Sequence, residues 1–464
     1  MASEERQAPT KKPTGKRNDP SNKRPQDKNR FLHPAETSCW QNEVKEWTFH
    51  YTERFRVVPP YRFEFGTSIK ARWVGRLLLE VFSQEFPYFE DSLQYYTEAM
   101  ELGRLRVNDE KASKDYRCRD GDVITHHVHR HEPPVTSEKI VIISDSDGIL
   151  AVNKPSSIPI HPGGRYRRNS LLAILAKEHN MFDLHTVHRL DRLTSGLLLF
   201  GRSKAVAEMF RREFEDGNVQ KQYLARVLGH VPPGTTLVDQ PLACKNHREA
   251  IHEISSDGKP SQTRVTLLAT GVGELEGQSL VLCEPLTGRT HQIRLHLQWL
   301  GCPIANDPLY GPAGVGSTST AEQSADPPGE HEATCSVGEA DSQDAVGKRD
   351  LDTALPRTNK KRRTELGIIS EESARHDESL NLDANGWMDA DCIHCRACRA
   401  EGCKGYYVPL KKKHDDSNAM LIWLHALTNK GATWSFRTPF PSWAEEFEEA
   451  SQLLSKIDKL EQAK

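Results

Sequence analysis

An acid flanked by cations is the first group in this 464-residue chain that could do chemistry. It stands in His188-Arg189-Leu190-Asp191-Arg192-Leu193-Thr194-Ser195, followed at once by the apolar run Gly196-Leu197-Leu198-Leu199-Phe200. The run is short, ends at Gly201 and predicts a buried strand. Such a strand holds the preceding loop rigidly while the loop faces a cleft. Arg189 and Arg192 favour the ionised form of Asp191. An ionised, partly desolvated aspartate can serve as nucleophile, base or ion-pair anchor. The residues alone leave that choice open.

Other elements must carry the partners of such an acid. Ile140–Ile143 and Ile149–Val152 predict strands, with a hairpin over Ser144-Asp145-Ser146-Asp147-Gly148. Asn153-Lys154-Pro155 and Ile160-His161-Pro162-Gly163-Gly164 follow. Ser170 is placed to cap a helix from Leu171 to His179, and Ser203 one from Lys204 to Asp216 that stops at Gly217. Lys221-Gln222-Tyr223-Leu224-Ala225-Arg226-Val227 alternates as a strand, and Tyr223 offers a flat ring with a hydroxyl handle. Further on, Thr287-Gly288-Arg289-Thr290-His291-Gln292-Ile293-Arg294-Leu295-His296 leads to Gly301-Cys302-Pro303-Ile304-Ala305-Asn306-Asp307-Pro308-Leu309-Tyr310. Thr290 as N-cap and Gly301 as the residue past the end bracket a helix.

Taken in order, these stretches resemble the signatures of the RluA-type pseudouridine synthases: HRLD-x-x-TSGLLL, K-x-Y-x-A-x-V, and TGR-x-HQ-x-R-x-H with G-x-PI-x-x-D-x-x-Y. The resemblance covers about residues 65–311 and 419–443. It is closest to eukaryotic members that carry a disordered insertion, a Cys-rich segment and an LHAL…P-x-W ending. It implies an α+β pseudouridine synthase fold with a largely antiparallel mixed sheet, preceded by a small alpha-L type RNA-binding module. The implied reaction isomerises uridine to pseudouridine in RNA, tRNA or mRNA. Asp191 would be the catalytic acid, acting on the ribose or on the base. Tyr223 would stack on the uracil, and Arg294 would pair with Asp191 through its two-pronged guanidinium. Arg189 would fill the place left by the flipped nucleotide. Lys154, His188, Arg289 and His291 are carried over with Arg189 as substrate-binding residues. No cofactor is implied for catalysis, and no nucleotide-binding loop is present.

Composition sets the frame around this core. The formal charge of −3 does not by itself suggest a nucleic-acid binder, but it is unevenly spread. Residues 1–30 carry nine Lys/Arg against four Asp/Glu, and residues 312–390 carry eight against sixteen. Both stretches lack apolar runs and are expected to be disordered, a basic tail and an acidic insertion. Residues 31–135 predict a small folded unit with helices near Trp73–Phe82 and Leu93–Met100. Short strands are expected at Leu105–Asn108 and Asp122–Thr125. Its sequence resembles the alpha-L module, with Arg72, Arg76, Arg104 and Arg106 as an RNA-binding face. A solvated basic face is the alternative. The catalytic domain spans 139–311 and is completed, after the insertion, by a Cys-rich segment and final strands over 391–443. Residues 444–464 predict an acidic amphipathic helix.

Two clusters invite a metal reading. Cys392, Cys395, Cys398 and Cys403 are dense enough for structural zinc, with ordinary reduced thiols as the alternative. His126-His127-Val128-His129-Arg130-His131 has no cysteine or acid at ligand spacing and is expected to be a linker. With no long apolar run, no membrane span is expected. Ten cysteines at this length point to a reducing compartment, cytoplasmic or nuclear, with the mitochondrion left open. The expected partner is RNA, and the expected state is a monomer. The alternative class is a non-catalytic RNA-binding or scaffolding protein on the same fold; the joint presence of Asp191, Tyr223 and Arg294 weighs against it.

Overall fold

The computed structural model describes residues 43–86, 92–246, 250–312, 389, 392, 395 and 420–462. The expected basic tail, nearly all of the acidic insertion, Cys398 and Cys403 lie outside these residues.

The N-terminal module is a four-stranded sheet with two helices. In chain order it contains β1 (Tyr61–Ser68), α1 (Leu78–Glu85), α2 (Ser92–Glu101), β2 (Leu105–Val107), β3 (Glu110–Lys111) and β4 (Val123–Arg130). The spatial order is β1-β4-β2-β3, all antiparallel. Trp73, Leu78, Val81, Phe82, Tyr96, Met100, Leu105 and Ile124 form its own core. The expected strand at Asp122–Thr125 is therefore longer. It runs through the histidine run as far as Arg130, so that residues 126–130 are a β-strand paired with β1 and not a linker. Histidine is tolerated there because a strand asks only for side chains that fit a half-buried pleat.

The module is joined to the main body by a buried acid. Glu132 receives the backbone N–H groups of Arg167, Arg168 and Asn169, each at 2.9 Å, and the hydroxyl of Tyr61 at 2.5 Å. Residues before the module belong to the body, since Val44 and Trp47 lie in its core.

The body is one large twisted sheet. Its strands are β5 (Val141–Ser146), β6 (Ile149–Lys154), β7 (Ser195–Gly201), β8 (Gln220–Leu228), β9 (Thr235–Asp239), β10 (Gln262–Thr270), β11 (Gln278–Pro285), β12 (Leu424–Lys430) and β13 (Ser435–Arg437). The spatial order is β9-β10-β11-β8-β12-β7-β6-β5, with β13 beside β12. Every pair is antiparallel except β7 with β12. The sheet is thus mixed but mostly antiparallel, as expected.

Strand β12 arrives from beyond residue 420 and inserts between β7 and β8 in the middle of the sheet. It falls within the stretch 391–443 where the final strands are expected. The paired residues are Leu424–Lys430. The hairpin between β5 and β6 turns on two residues, Asp147 (φ 53°) and Gly148 (φ 77°). Both need positive φ, as a two-residue turn between twisted strands requires.

The period-two alternation of β8 and β11 divides the core. Leu224, Leu280 and Leu282 face Leu453 and Ile457 of a C-terminal helix, Ala450–Gln462. Ala225, Val227, Val281 and Cys283 face Ile293 and Leu297 of helix α5 (Gln292–Trp299). Around β6 and β7, the helices α3 (Leu171–His179) and α4 (Lys204–Glu215) close a third cluster with Leu197, Leu198, Leu199 and Phe200. Each such fully buried side chain contributes about 1.5–3 kcal/mol relative to leaving it in water. Both helices have the expected boundaries. Ser203 caps α4 through Val206 N–H, whereas the Ser170 hydroxyl donates to Arg167 C=O instead of capping α3. The expected C-terminal helix is two helices, Ser442–Glu445 and Ala450–Gln462.

Candidate active site

Helix α5 spans Gln292–Trp299. Its N-cap is His291, in the left-handed region at φ 58°, and not Thr290. Gln292 accounts for the shift. Its Oε1 accepts from Arg289 N–H (3.1 Å) and Thr287 hydroxyl (2.8 Å), and its amide donates to Gln262 C=O and Thr263 Oγ1. That network turns the chain sharply and aims the His291 ring outward from the helix start.

The Asp191 loop enters β7 and is fixed from below. Lys154 is fully buried at the end of β6, and its Nζ donates to the carbonyls of Pro155 (2.9 Å), Ile158 (3.0 Å) and Arg192 (3.2 Å). Burial pushes its amine down to about 7. Leu193 C=O accepts from Ser156 Oγ and Ile422 N–H, so the loop is tied to the chain entering β12 as well. At Gly196 (φ 111°) a Cβ would stand 2.2 Å from Ala426 O, so only glycine lets β7 and β12 meet here. Ser195 next to it bonds His425 Nδ1 at 2.9 Å, and His425 Nε2 bonds Thr438 at 2.8 Å.

The Asp191 side chain is a quarter exposed and lies with its Oδ2 3.8 Å from His291 Nε2. His291 Nδ1 is 2.9 Å from the Tyr310 hydroxyl, which accepts from His252 N–H at 3.0 Å. Having accepted there, the hydroxyl has its own proton to give to His291 Nδ1. The imidazole proton then sits on Nε2, directed at Asp191. Burial, with help from Arg294, lowers the imidazole to about 4, so His291 is neutral at neutral pH.

Tyr223 is the third wall. A register shift between Gln222 and Tyr223 re-aims the strand at this point. The ring packs against both neighbouring core clusters. Burial raises its hydroxyl well above the usual range, and the charge of Asp191 adds to the effect. Asp191 thus stands beside His291, and its charge reaches Tyr223.

Arg294 departs from the expectation. Its guanidinium closes on Asp307 and not on Asp191, with Nε and Nη2 at 2.6 and 2.7 Å from the two carboxylate oxygens. Asp307 also accepts from Leu309 N–H (2.9 Å) and Tyr310 N–H (3.1 Å). Burial opposes both charges, yet the pair outweighs it: Asp307 is held below the usual carboxylate range and Arg294 above the usual arginine value. The Asp191 charge also acts on Arg294, so the cation stands behind the site without grasping the acid. Asp307 and Tyr310 are fixed letters of the third motif that sequence reading quoted without giving them a role.

The remaining candidates divide. Arg189 is exposed beside Asp191, and Arg289 is exposed at the start of α5 with its Nε on Pro260 C=O. His188 is half-buried and its ring is already engaged. It stacks on Phe214 at 4.6 Å and accepts at Nε2 from Leu199 N–H and Asn429 Nδ2, and burial lowers it to about 3. Lys154 likewise holds carbonyls of the loop instead of facing a cleft. Among the module arginines, Arg104 is buried in an ion pair with Asp389 (2.9 Å) and cannot face RNA. Arg72 is exposed but forked onto Glu85, Arg76 bonds Gln84, and Arg106 bonds Gly103 C=O. The Arg72 charge meets an acid, whereas Arg76 bonds a neutral amide and Arg106 a neutral carbonyl. Cys392 and Cys395 are both buried. Among the described residues, no helix is long and apolar enough to cross a membrane.

Residues 148–299 match the family model described as RNA pseudouridylate synthase. The chain is 36% identical over 437 residues to human "Pseudouridylate synthase RPUSD2", covering 86% of this chain and 75% of that one. The mouse protein of the same name is 34% identical over 423 residues, covering 86% and 73%. A yeast protein named "tRNA pseudouridine(32) synthase, mitochondrial" is 32% identical over 399 residues, covering 84% and 77%. The matched span contains Asp191, Tyr223, His291 and Arg294, and the likeness extends beyond it to most of the chain; the chain therefore belongs to the RNA pseudouridylate synthase family, enzymes that isomerise uridine to pseudouridine in RNA.

Proposed function

We propose that Asp191 is the catalytic residue of this synthase and that its substrate is a uridine in a cellular RNA, tRNA or mRNA. The name of the yeast relative favours tRNA. The observation that carries the reading is one partly exposed carboxylate with a neutral imidazole, His291, beside it and a half-buried ring, Tyr223, within reach of its charge. A uracil taken out of the stack needs a flat apolar surface and a carboxylate at the glycosidic bond. Tyr223 supplies the first and Asp191 the second. The carboxylate adds to the ribose, or removes a proton from it, as the N-glycosidic bond breaks; the freed uracil turns and bonds through C5 to C1′ of the same sugar as the carboxylate leaves or the sugar regains its proton, and the C5 proton is lost while N1 carries one.

Exposed Arg189, two residues before the acid, is placed to fill the gap left by the flipped nucleotide, and Arg289 to meet a phosphate. Arg294 acts through Asp307 and Tyr310 as a positioning residue. Catalysis needs no cofactor. The buried imidazole and thiol groups at the end of β4 share no residue with this site. The N-terminal module serves RNA binding in this reading, through surfaces other than Arg104. The protein acts as a monomer in the cytoplasm, the nucleus or the mitochondrion.

The test is Asp191→Asn, which keeps size and hydrogen bonding but removes the charge. Pseudouridine formation in tRNA and mRNA from cells lacking the protein should be restored by the wild type and not by the variant. RNA affinity of the variant should stay within a few-fold. Near-wild-type modification by Asp191→Asn would remove the assignment.

A further inference from the structure

Four buried side chains from distant parts of the sequence present their donor atoms to one point. His129 lies near the end of β4, and His131 stands one residue past it. Cys392 and Cys395 stand in a C-x-x-C arrangement some 261 to 266 residues later. All four are buried, and one ligand atom from each lies within 4.8 Å of the others.

The separations have the size of a coordination shell. His129 Nδ1 and His131 Nε2 are 3.2 Å apart. Cys395 Sγ is 3.2 Å from His129 Nδ1 and 3.3 Å from His131 Nε2, and Cys392 Sγ is 3.6 Å from His131 Nε2. Tetrahedral zinc, with bonds of about 2.05 Å to nitrogen and about 2.3 Å to sulfur, puts two nitrogens about 3.3 Å apart and a nitrogen and a sulfur about 3.6 Å apart. The two imidazole planes stand at 87°, so the rings approach the common point from different sides without stacking.

We propose that His129, His131, Cys392 and Cys395 form a structural Zn2+ site that clips Cys392 and Cys395 to the N-terminal module. Soft thiolates with imidazole in a tetrahedral set select zinc over the hard divalent ions. The surroundings have the form of an outer shell. Asp389 N–H donates to Cys395 Sγ at 3.3 Å, and the Asp389 carboxylate, fully buried, pairs with Arg104, the residue just before β2. The buried charges then cancel: two thiolates against one divalent cation, one carboxylate against one guanidinium. On binding, the two thiols release their protons to solvent and their sulfur lone pairs form the new bonds.

The site lies next to Glu132, the acid that seats the module on the body. On its other side the chain leads to β12, the strand in the middle of the catalytic sheet. Closing so long a loop by chain contacts alone is entropically costly, and a metal clip supplies the closure outright.

The experiment uses full-length protein purified without chelators from zinc-supplemented cells, with metal measured by plasma mass spectrometry. About one zinc per chain is expected in the wild type, in Cys398→Ser and in Cys403→Ser, and less than about a tenth of that in His131→Ala and Cys395→Ser. Metal-free wild type, metal retained in both His131→Ala and Cys395→Ser, or metal lost on changing Cys398 or Cys403 overturns the site. Should His131→Ala and Cys395→Ser fail to fold, cobalt exchanged into the wild type reads the donors directly. An intense tetrahedral visible spectrum with a two-thiolate charge-transfer band supports the set, and a weak octahedral spectrum or a four-thiolate one overturns it.

Discussion

Arg294 holds Asp307 through two parallel hydrogen bonds, 2.6 and 2.7 Å, one helical turn from the residue that faces Asp191. The pair is buried on both sides. Its work is to fix the start of α5 and the chain through Tyr310, and through Tyr310 the ring of His291. Breaking a buried pair by removing one partner costs about 3–5 kcal/mol, because the other charge is stranded. Asp307→Asn should therefore lose stability on that scale in urea unfolding. Arg294→Lys keeps a charge but loses the planar fork, so His291 and Asp191 shift relative to each other. A misplacement of about an ångström costs on the order of a hundredfold in rate. Single-turnover kinetics should show that drop with the salt dependence of RNA binding unchanged. A normal single-turnover rate with a shallower salt slope would instead make Arg294 a phosphate contact.

Tyr223 separates the ring from the hydroxyl. The ring is the apolar surface offered to a uracil, while the hydroxyl is kept protonated by burial and by the Asp191 charge. Tyr223→Phe should keep the single-turnover rate within about tenfold, since the loss is one hydrogen bond at most. Tyr223→Ala removes the ring and should cost at least about another tenfold, because a base–aromatic contact contributes about 1–3 kcal/mol. Equal rates for the two variants would show that the hydroxyl, and not the ring, carries the function.

Gly196 is where β7 passes β12, with Ala426 O 2.2 Å and Ala426 N 2.5 Å from where a Cβ would sit. Its φ of 111° is unfavourable for any other residue. Gly196→Ala must push the two strands apart directly behind Asp191. A loss of about 3 kcal/mol in urea unfolding is expected, from overpacking together with backbone strain. An alanine variant as stable as the wild type would mean that this parallel contact is looser than the geometry says.

Much of the site was legible in the sequence because local chemistry dictates it. Asp191 before an apolar strand, the Ser203 cap of α4 and the alternation around Tyr223 all lie within a few residues of their causes. What escaped is what only tertiary contact decides. The partner of Arg294 is thirteen residues away around a helix end, and two carboxylates compete for it. His188 and Lys154 look like reactive groups by type, but the fold buries both among backbone groups that need them. The histidine run carries no ligand spacing of its own, because its complementary thiols are separated from it by more than half the chain. Arg104 looks basic and free in the sequence, yet its acid lies 285 residues on.

Lys154 gives a pH signature that can be worked out from its burial. In the fold its amine ionises near about 7, below the ordinary 10.5, with desolvation the largest cause and Arg192 adding to it. Between those two values the unfolded chain binds more protons at this residue than the folded one, so its contribution to stability rises as pH rises from about 7 toward 10.5. Lys154→Met keeps much of the apolar stem but removes the titrating group and the three donations to Pro155, Ile158 and Arg192. The variant should be less stable at every pH, since the buried carbonyls lose the three donors of the ammonium below about pH 7 and the two of the neutral amine above it. The gap between wild type and variant should widen from pH 7 to 10, because only the wild type gains there. Urea unfolding of both proteins across that range measures the gap directly. A gap that narrows with pH would mean that the ammonium form is the one the fold prefers, held by its three carbonyls against the cost of burial. Activity provides a second readout: the Met variant should lose single-turnover rate out of proportion to RNA affinity, because the Arg192 carbonyl it releases belongs to the loop that aims Asp191.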